Sequence, residues 1–437
     1  MRAAADLPTP AGERARAVLF TALWALFASA MLVESDTYRY VAVVFVVLAL
    51  GRCREEVGRV SRDWLALLCY GWAAYAAARF ALGALLFGEK GTSEWLYIFP
   101  VVFPLVGAAL FATRRYVFPA ATLLVACGLA GLLATLDFPA IAAGARAAPL
   151  FHHNPIHAGI GCCMLFLSAV FWLLHAAETG RLNGRLRWPF LALGAATALF
   201  SLAGVLGAQS KGAWLALAAT VVLMSVLSLL RYAGRWRLHL LGGLLLAAAA
   251  ASLVASSYVE RVAGTTMEAA ARLTDDTVVT EGPVAAMHRA IADPATPPAM
   301  RERLMLWSNA MELIEAAPWM GWGNAWLGQW SKTAYHDVGY TLIHNGYLEI
   351  MVRHGFLGIA FLVVFAVSAA RRINEAHRRG AISASLAVYL YSMSFFFFCT
   401  IATNSNNRLA LGESFFILAA AAVFAITLAG ERTQAAA

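Results

Sequence analysis

Long apolar runs follow one another along the chain, each about as long as the roughly 20 residues needed to cross a bilayer, with short polar connections between them. The pattern predicts helices near 17–34, 39–51 with its flanks, 64–87, 95–113, 117–136, 155–177, 188–207, 212–230, 238–256, 346–370, 381–402 and 411–430. One long interruption stands out, the 86 residues from Tyr258 to Ile343. The expected fold class is an all-α polytopic membrane protein of about twelve transmembrane helices. It divides into 1–257 with helices one to nine, a helical extramembrane connection 258–343, and 344–437 with the last three helices.

Inside the connection, Thr296-Pro297-Pro298 reads as a helix start, with Thr296 as N-cap and proline suited to the first turn. From Arg301 to Ala317 the apolar residues Leu304, Trp307, Met311 and Ile314 recur at helical spacing until Pro318 ends the run. Such an amphipathic helix lies on the membrane surface or caps a cavity. Arg303 is one turn before Trp307, in position to stack on its ring. The Trp/Gly alternation from Trp319 to Trp330 reads as an aromatic belt at headgroup level, with a sugar-stacking platform as the alternative.

Composition sharpens this. Of 437 residues, 61% are hydrophobic and 13% charged, against about 45–50% and about 25% in an ordinary soluble protein. Soluble multidomain enzymes and nucleic-acid-binding proteins are excluded. Twenty Lys and Arg residues fall in alternate connections and the two tails, whereas the five short intervening loops carry Arg39, Lys90, Arg146, Lys211 and Arg408, one each. The positive-inside rule then puts both termini in the cytoplasm and the long connection in the periplasm. That connection holds six basic and ten acidic residues. An anion bound there must be held by particular arginines, because the general field is mildly repulsive. No small-residue cleavage site follows the first apolar run, which is therefore kept as a span. The six cysteines lie in or at the ends of spans, so no disulfide framework is expected.

Candidate chemistry collects at the outer boundary. His344-Asn345-Gly346-Tyr347-Leu348-Glu349 opens the tenth span, where a helix N-terminus attracts anions and keeps an imidazole neutral. Lys211, in Gly207-Ala208-Gln209-Ser210-Lys211-Gly212, is either a snorkelling cation or a point charge for phosphate. His152, His153 and His157 cluster near an outer loop. Without acidic or thiolate partners at a recognised spacing they read as structural or substrate-contacting, not as a metal site. His336 and His354 read as polar residues at the interface. Arg79, inside the third span, needs a polar cavity or a partner. Asp275-Asp276 reads as a solvated turn.

Three motifs, Ser210-Lys211-Gly212-Ala213-Trp214, Arg303-Leu304-Met305-Leu306-Trp307 with Pro318-Trp319-Met320-Gly321-Trp322-Gly323, and His344-Asn345-Gly346-Tyr347-Leu348-Glu349, occur in this order around a late exported loop. The chain thereby resembles the O-antigen ligase family, within a superfamily that also holds O-antigen polymerases and protein O-oligosaccharyltransferases. It departs at Lys211, where the family usually has arginine. The resemblance implies a fold like that of GT-C glycosyltransferases in the bacterial inner membrane, and transfer of polysaccharide from undecaprenyl diphosphate to a lipid A-core sugar on the periplasmic side. It implies His344 as base or acceptor-positioning group, and Lys211 and Arg303 on the diphosphate. Arg146, Arg261, Arg408, Asn345 and Ser210 are secondary candidates. No cofactor, metal or nucleic acid is expected; the partners are the lipid-linked donor, the lipid A-core acceptor and membrane lipid. Direct attack by the acceptor predicts inversion. Polymerase and protein glycosyltransferase are the enzymatic alternatives. A lipid-linked glycan transporter is the non-enzymatic one, disfavoured because only Arg79 is clearly buried in a span.

Overall fold

The computed structural model describes residues 10–91, 94–231, 260–262, 264–265, 267–269, 271, 282–339 and 341–436. Its helices are α1 (Pro10–Ala28), α2 (Thr37–Arg52), α3 (Arg54–Val60), α4 (Trp64–Phe87), α5 (Phe103–Thr113), α6 (Val117–Thr135), α7 (Phe138–Ala142), α8 (Pro155–Glu178), α9 (Arg187–Ala208) and α10 (Lys211–Arg231). After the long connection begins come α11 (Pro283–Ala292), α12 (Pro298–Ala316), α13 (Trp326–Trp330), α14 (Gly346–Arg378), α15 (Ala384–Thr403) and α16 (Ala410–Ala436). Among the described residues there is no strand, and nine helical stretches are long and apolar enough to cross a membrane. The chain is a multi-pass, helical membrane protein. The predicted span 238–256 and the Asp275-Asp276 pair lie outside the described residues.

Two expected spans differ from the pattern. The run 95–113 begins as a 3₁₀ helix, Glu94–Val102, and becomes α-helical only at Phe103. Pro100 and Pro104 remove backbone donors from that stretch, which favours the tighter, short-lived winding. A single 3₁₀ turn, Arg114–Tyr116, then joins α5 to α6.

Between helices surrounded by lipid there is no hydrophobic driving force, so association depends on close packing and small residues. A Cβ on Gly107 of α5 would fall 2.5 Å from the Phe424 side chain of α16, and one on Gly204 of α9 would fall 2.7 Å from Cys162 of α8. Two packed clusters result. One joins α1, α2, α4, α5 and α16 through Phe27, Phe45, Leu65, Phe111 and Phe424. The other joins α6, α8, α9, α10 and α15 through Leu132, Leu165, Val205, Ala213 and Phe397, and takes in Leu411 and Phe415 of α16. α16 is thus the shared wall of the bundle, and its first turn lies beside the site.

α14 is not the unbroken span the hydropathy predicts. Gly355 has φ 59° and ψ −155°, a conformation open to glycine and strained for other residues. The break frees backbone donors, and the connection fills them: Phe356 N–H donates to the Pro318 carbonyl at 2.8 Å and Leu357 N–H to that of Trp319 at 3.1 Å. In return Trp322 N–H donates to the Val352 carbonyl at 2.8 Å. The Arg79 guanidinium holds the same turn through the Met320 and Gly321 carbonyls, at 3.2 and 2.9 Å. Arg79 therefore has its partner, and the Trp/Gly stretch is a clasp set into the helix break. Trp326 and Trp330 are buried; Trp319, at 73% exposed, remains outside.

Candidate functional site

The site grows from three chain turns at one end of the bundle. The first closes α9: Gln209 adopts φ 50° and its amide donates to the Gly144 carbonyl at 2.9 Å, while Arg146 Nε donates to the Ala208 carbonyl at 3.1 Å. Ser210 is buried, with its Cβ 3.0 Å from where a Cβ of Gly159 would lie, so the start of α8 seats the turn. Lys211, the first residue of α10, is exposed. Arg303 and Arg146 both lie within electrostatic reach of its ammonium. The structure thus gathers Lys211, Arg303, Arg146 and Ser210, which sequence spacing could only propose one by one.

The second turn carries Arg303. α12 begins at Pro298 with Pro297, not Thr296, at the cap position, and no side chain caps it. Arg301 instead folds back, Nη2 donating to the Asp293, Pro294 and Thr296 carbonyls at 3.1 to 3.3 Å. Trp307 does not stack on Arg303. Its Nε1 donates to the Ile343 carbonyl at 3.1 Å, tying the helix to the residue before His344. Arg303 points from the same helix, half-buried. Burial pushes its guanidinium below the usual arginine range, and among the described residues it has no hydrogen-bonding or ion-pair partner. A desolvated cation without a counter-ion costs several kcal/mol in principle, an expense that a bound anion offsets.

The third turn carries His344, at φ 55°. Asn345 caps α14, accepting from Tyr347 N–H at 3.0 Å and Leu348 N–H at 3.2 Å, so its side chain is committed to the helix. His344 Nδ1 lies 2.9 Å from Asn404 Oδ1; Asn404 Nδ2 donates to Asn406 Oδ1 at 2.7 Å, and Asn406 Nδ2 to the Thr400 carbonyl at 3.4 Å. The end of α15 also touches the start of α10, because Gly212 leaves no room for a Cβ against Thr403. His344 and Lys211 are thereby linked through two adjacent residues, Thr403 and Asn404.

Behind the turn runs a buried chain of charge absent from the sequence reading. Glu349, fully buried, accepts from Arg353 at 3.2 Å and Arg408 at 3.1 Å, and Ile343 N–H donates to its other oxygen at 3.4 Å. Arg353, also fully buried, reaches Glu94 at 3.0 Å, which accepts from Trp326 Nε1 at 2.9 Å. Arg408 is therefore engaged with Glu349. Arg79 itself is only half-buried, and the buried charges among the described residues are Glu94, Glu349, Arg353 and Glu413.

The remaining candidates separate. His153 and His157 face Glu34, with Nδ1–oxygen distances of 3.7 and 3.4 Å, while His152 faces the Met31 carbonyl at 3.2 Å; burial pushes the His152 imidazole down. Arg261 is exposed, and among the described residues it makes no contact with the three turns. His336 lies against Thr333 and Asp337. His354 is no interface cap: it is buried edge-on against Trp72 and Tyr97.

Two close cations beside an imidazole suit a reaction in which an anionic group departs and a hydroxyl proton is taken up. Among characterised proteins, none matches the chain by sequence. The O-antigen ligase profile matches residues 196–363, so the stretch that carries Lys211, Arg303 and His344 is similar to the O-antigen ligase family.

Proposed function

We propose that the chain is an O-antigen ligase of the bacterial inner membrane, with both termini cytoplasmic and its site on the periplasmic face. It transfers a glycan from undecaprenyl diphosphate to a sugar hydroxyl of lipid A-core. The observation that carries this reading is the half-buried, uncompensated Arg303 guanidinium on a helix anchored next to His344, with Lys211 in electrostatic reach. The acceptor oxygen attacks the anomeric carbon as its proton passes to His344. The bond to the diphosphate breaks, and the diphosphate leaves with the electron pair, its charge met by Lys211 and Arg303. One displacement inverts the anomeric centre.

Fixed cations supply charge stabilisation that a divalent ion supplies elsewhere, so turnover is expected to persist in EDTA. Loss restored by a divalent ion overturns that expectation. Purified protein, lipid-diphosphate-linked glycan and lipid A-core are the components of the test. Glycan joined to lipid A-core, with carrier diphosphate released, supports the ligase. Elongation of the lipid-linked glycan without lipid A-core makes it a polymerase, and no covalent product leaves transport. In the same assay Arg303→Ala is expected to lower kcat/KM about a hundredfold, while Lys211→Arg restores a bidentate fork and retains activity.

A further inference from the structure

We infer that Asn404 and Asn406 are positioning residues that decide which nitrogen of His344 carries the proton, an inference that rests on the ligase reading in which His344 receives the acceptor proton. The order of atoms can be worked out from the fixed end. The Thr400 carbonyl only accepts, so Asn406 presents Nδ2 to it and Oδ1 to Asn404. That oxygen only accepts, so Asn404 presents Nδ2 to it, at 2.7 Å, and turns Oδ1 towards His344. Asn404 Oδ1 in turn only accepts, so the imidazole must place its hydrogen on Nδ1, 2.9 Å away. A neutral imidazole has one N–H, and Nε2 is left with the lone pair. In the opposite tautomer Nε2 would be a donor and could not take a proton.

Burial makes the order persist. Thr400, Asn404 and Asn406 are all buried, so water does not compete to flip an amide, and each reversal would set donor against donor or oxygen against oxygen. The turn itself is held fixed: Gly346 packs against Asn407, and Gly412 against the Asn406 carbonyl, with no room for a Cβ at either. The charged groups on the elements around His344 include Glu349 and its partner Arg353 on its own helix, Arg408 on the Asn406 turn, Lys211 on α10 and Arg303 on α12. They are common to every variant below, so differences between variants report the asparagines.

The test is the pH dependence of transfer by the full-length protein in detergent, with purified lipid-diphosphate-linked glycan and lipid A-core, from about pH 5 to about pH 9. Asn404→Asp puts a carboxylate opposite Nδ1–H, favours the imidazolium, and is expected to move the acid limb of the profile up by about one unit. Asn404→Ala frees the ring and is expected to lower kcat about ten- to a hundredfold with donor KM within about twofold. An acid limb that stays put in Asn404→Asp, or an Asn404→Ala effect confined to KM, overturns the inference. Should Asn404→Asp fail to accumulate in the membrane, Asn406→Ala carries the test. It lets the Asn404 amide turn over and is expected to lower kcat without changing donor KM; unchanged kcat overturns the relay. His344→Ala in the same assay separates the two levels, because full activity there removes the ligase role of His344 itself, whatever the asparagines do.

Discussion

Replacing the chromosomal copy with His344→Asn or His344→Ala is expected to leave lipid A-core bare while long glycan accumulates on its diphosphate carrier. The expected loss is about 10²- to 10⁴-fold, the contribution of a positioned acid–base group. Two substitutions are needed because of the backbone. His344 adopts φ 55°, and alanine resists that conformation at a cost on the order of 1 kcal/mol, whereas asparagine tolerates it. Asparagine removes the proton acceptor and keeps the turn, so its effect reports chemistry, and any extra loss in the alanine variant reports strain. Immunoblotting of the membrane fraction and gel analysis of lipopolysaccharide beside extracted lipid-linked glycan make the measurement. Core capped by a single repeat unit would mean a polymerase, and an unchanged profile with normal protein would remove His344 from the site.

How much of this could be read from the chain depends on how local the cause is. Apolar runs of spanning length are a local property, and helices lie at each predicted span within the described residues. The three turns of the site were marked by local motifs as well. What the pattern could not give is what happens between distant segments. Hydropathy takes Gly355 as one more residue of an apolar helix, because the carbonyls that fill the break come from Pro318 and Trp319. Asn404 and Asn406 sit in Thr403-Asn404-Ser405-Asn406-Asn407-Arg408, which reads as a polar turn, and only the fold sets His344 against it. Trp307 was placed on the correct face, but its hydrogen-bond acceptor lies 36 residues away and displaces the expected stacking on Arg303. Glu349 and Arg353, opposite charges four apart on an apolar helix, were open to the same local reading, although they go unpaired in the sequence analysis. Their partner Glu94 was not.

That pair underlies the second large effect. Glu349→Ala is expected to destabilise the protein by about 3–5 kcal/mol, because it leaves buried guanidinium charge without the carboxylate that Arg353 and Arg408 share. Arg353 keeps Glu94, yet loses the partner on its own helix; Arg408 loses this ion pair; and Ile343 N–H loses its acceptor one residue before His344. The readouts are the amount of protein in the membrane and the unfolding temperature in detergent, with Glu349→Gln intermediate because it keeps volume and one acceptor. Wild-type accumulation and an unfolding temperature within about 2 °C of wild type would show that the ion chain adds nothing. Arg303 makes the contrast. It is half-buried with no partner among the described residues, so Arg303→Ala relieves a desolvated charge and should leave stability unchanged or slightly raised while transfer collapses. Arginines can thus be separated by whether the fold completes them: Arg353 is completed by Glu94 and Glu349, whereas Arg303 has no such partner among the described residues and, on the proposed reading, is completed by the donor diphosphate.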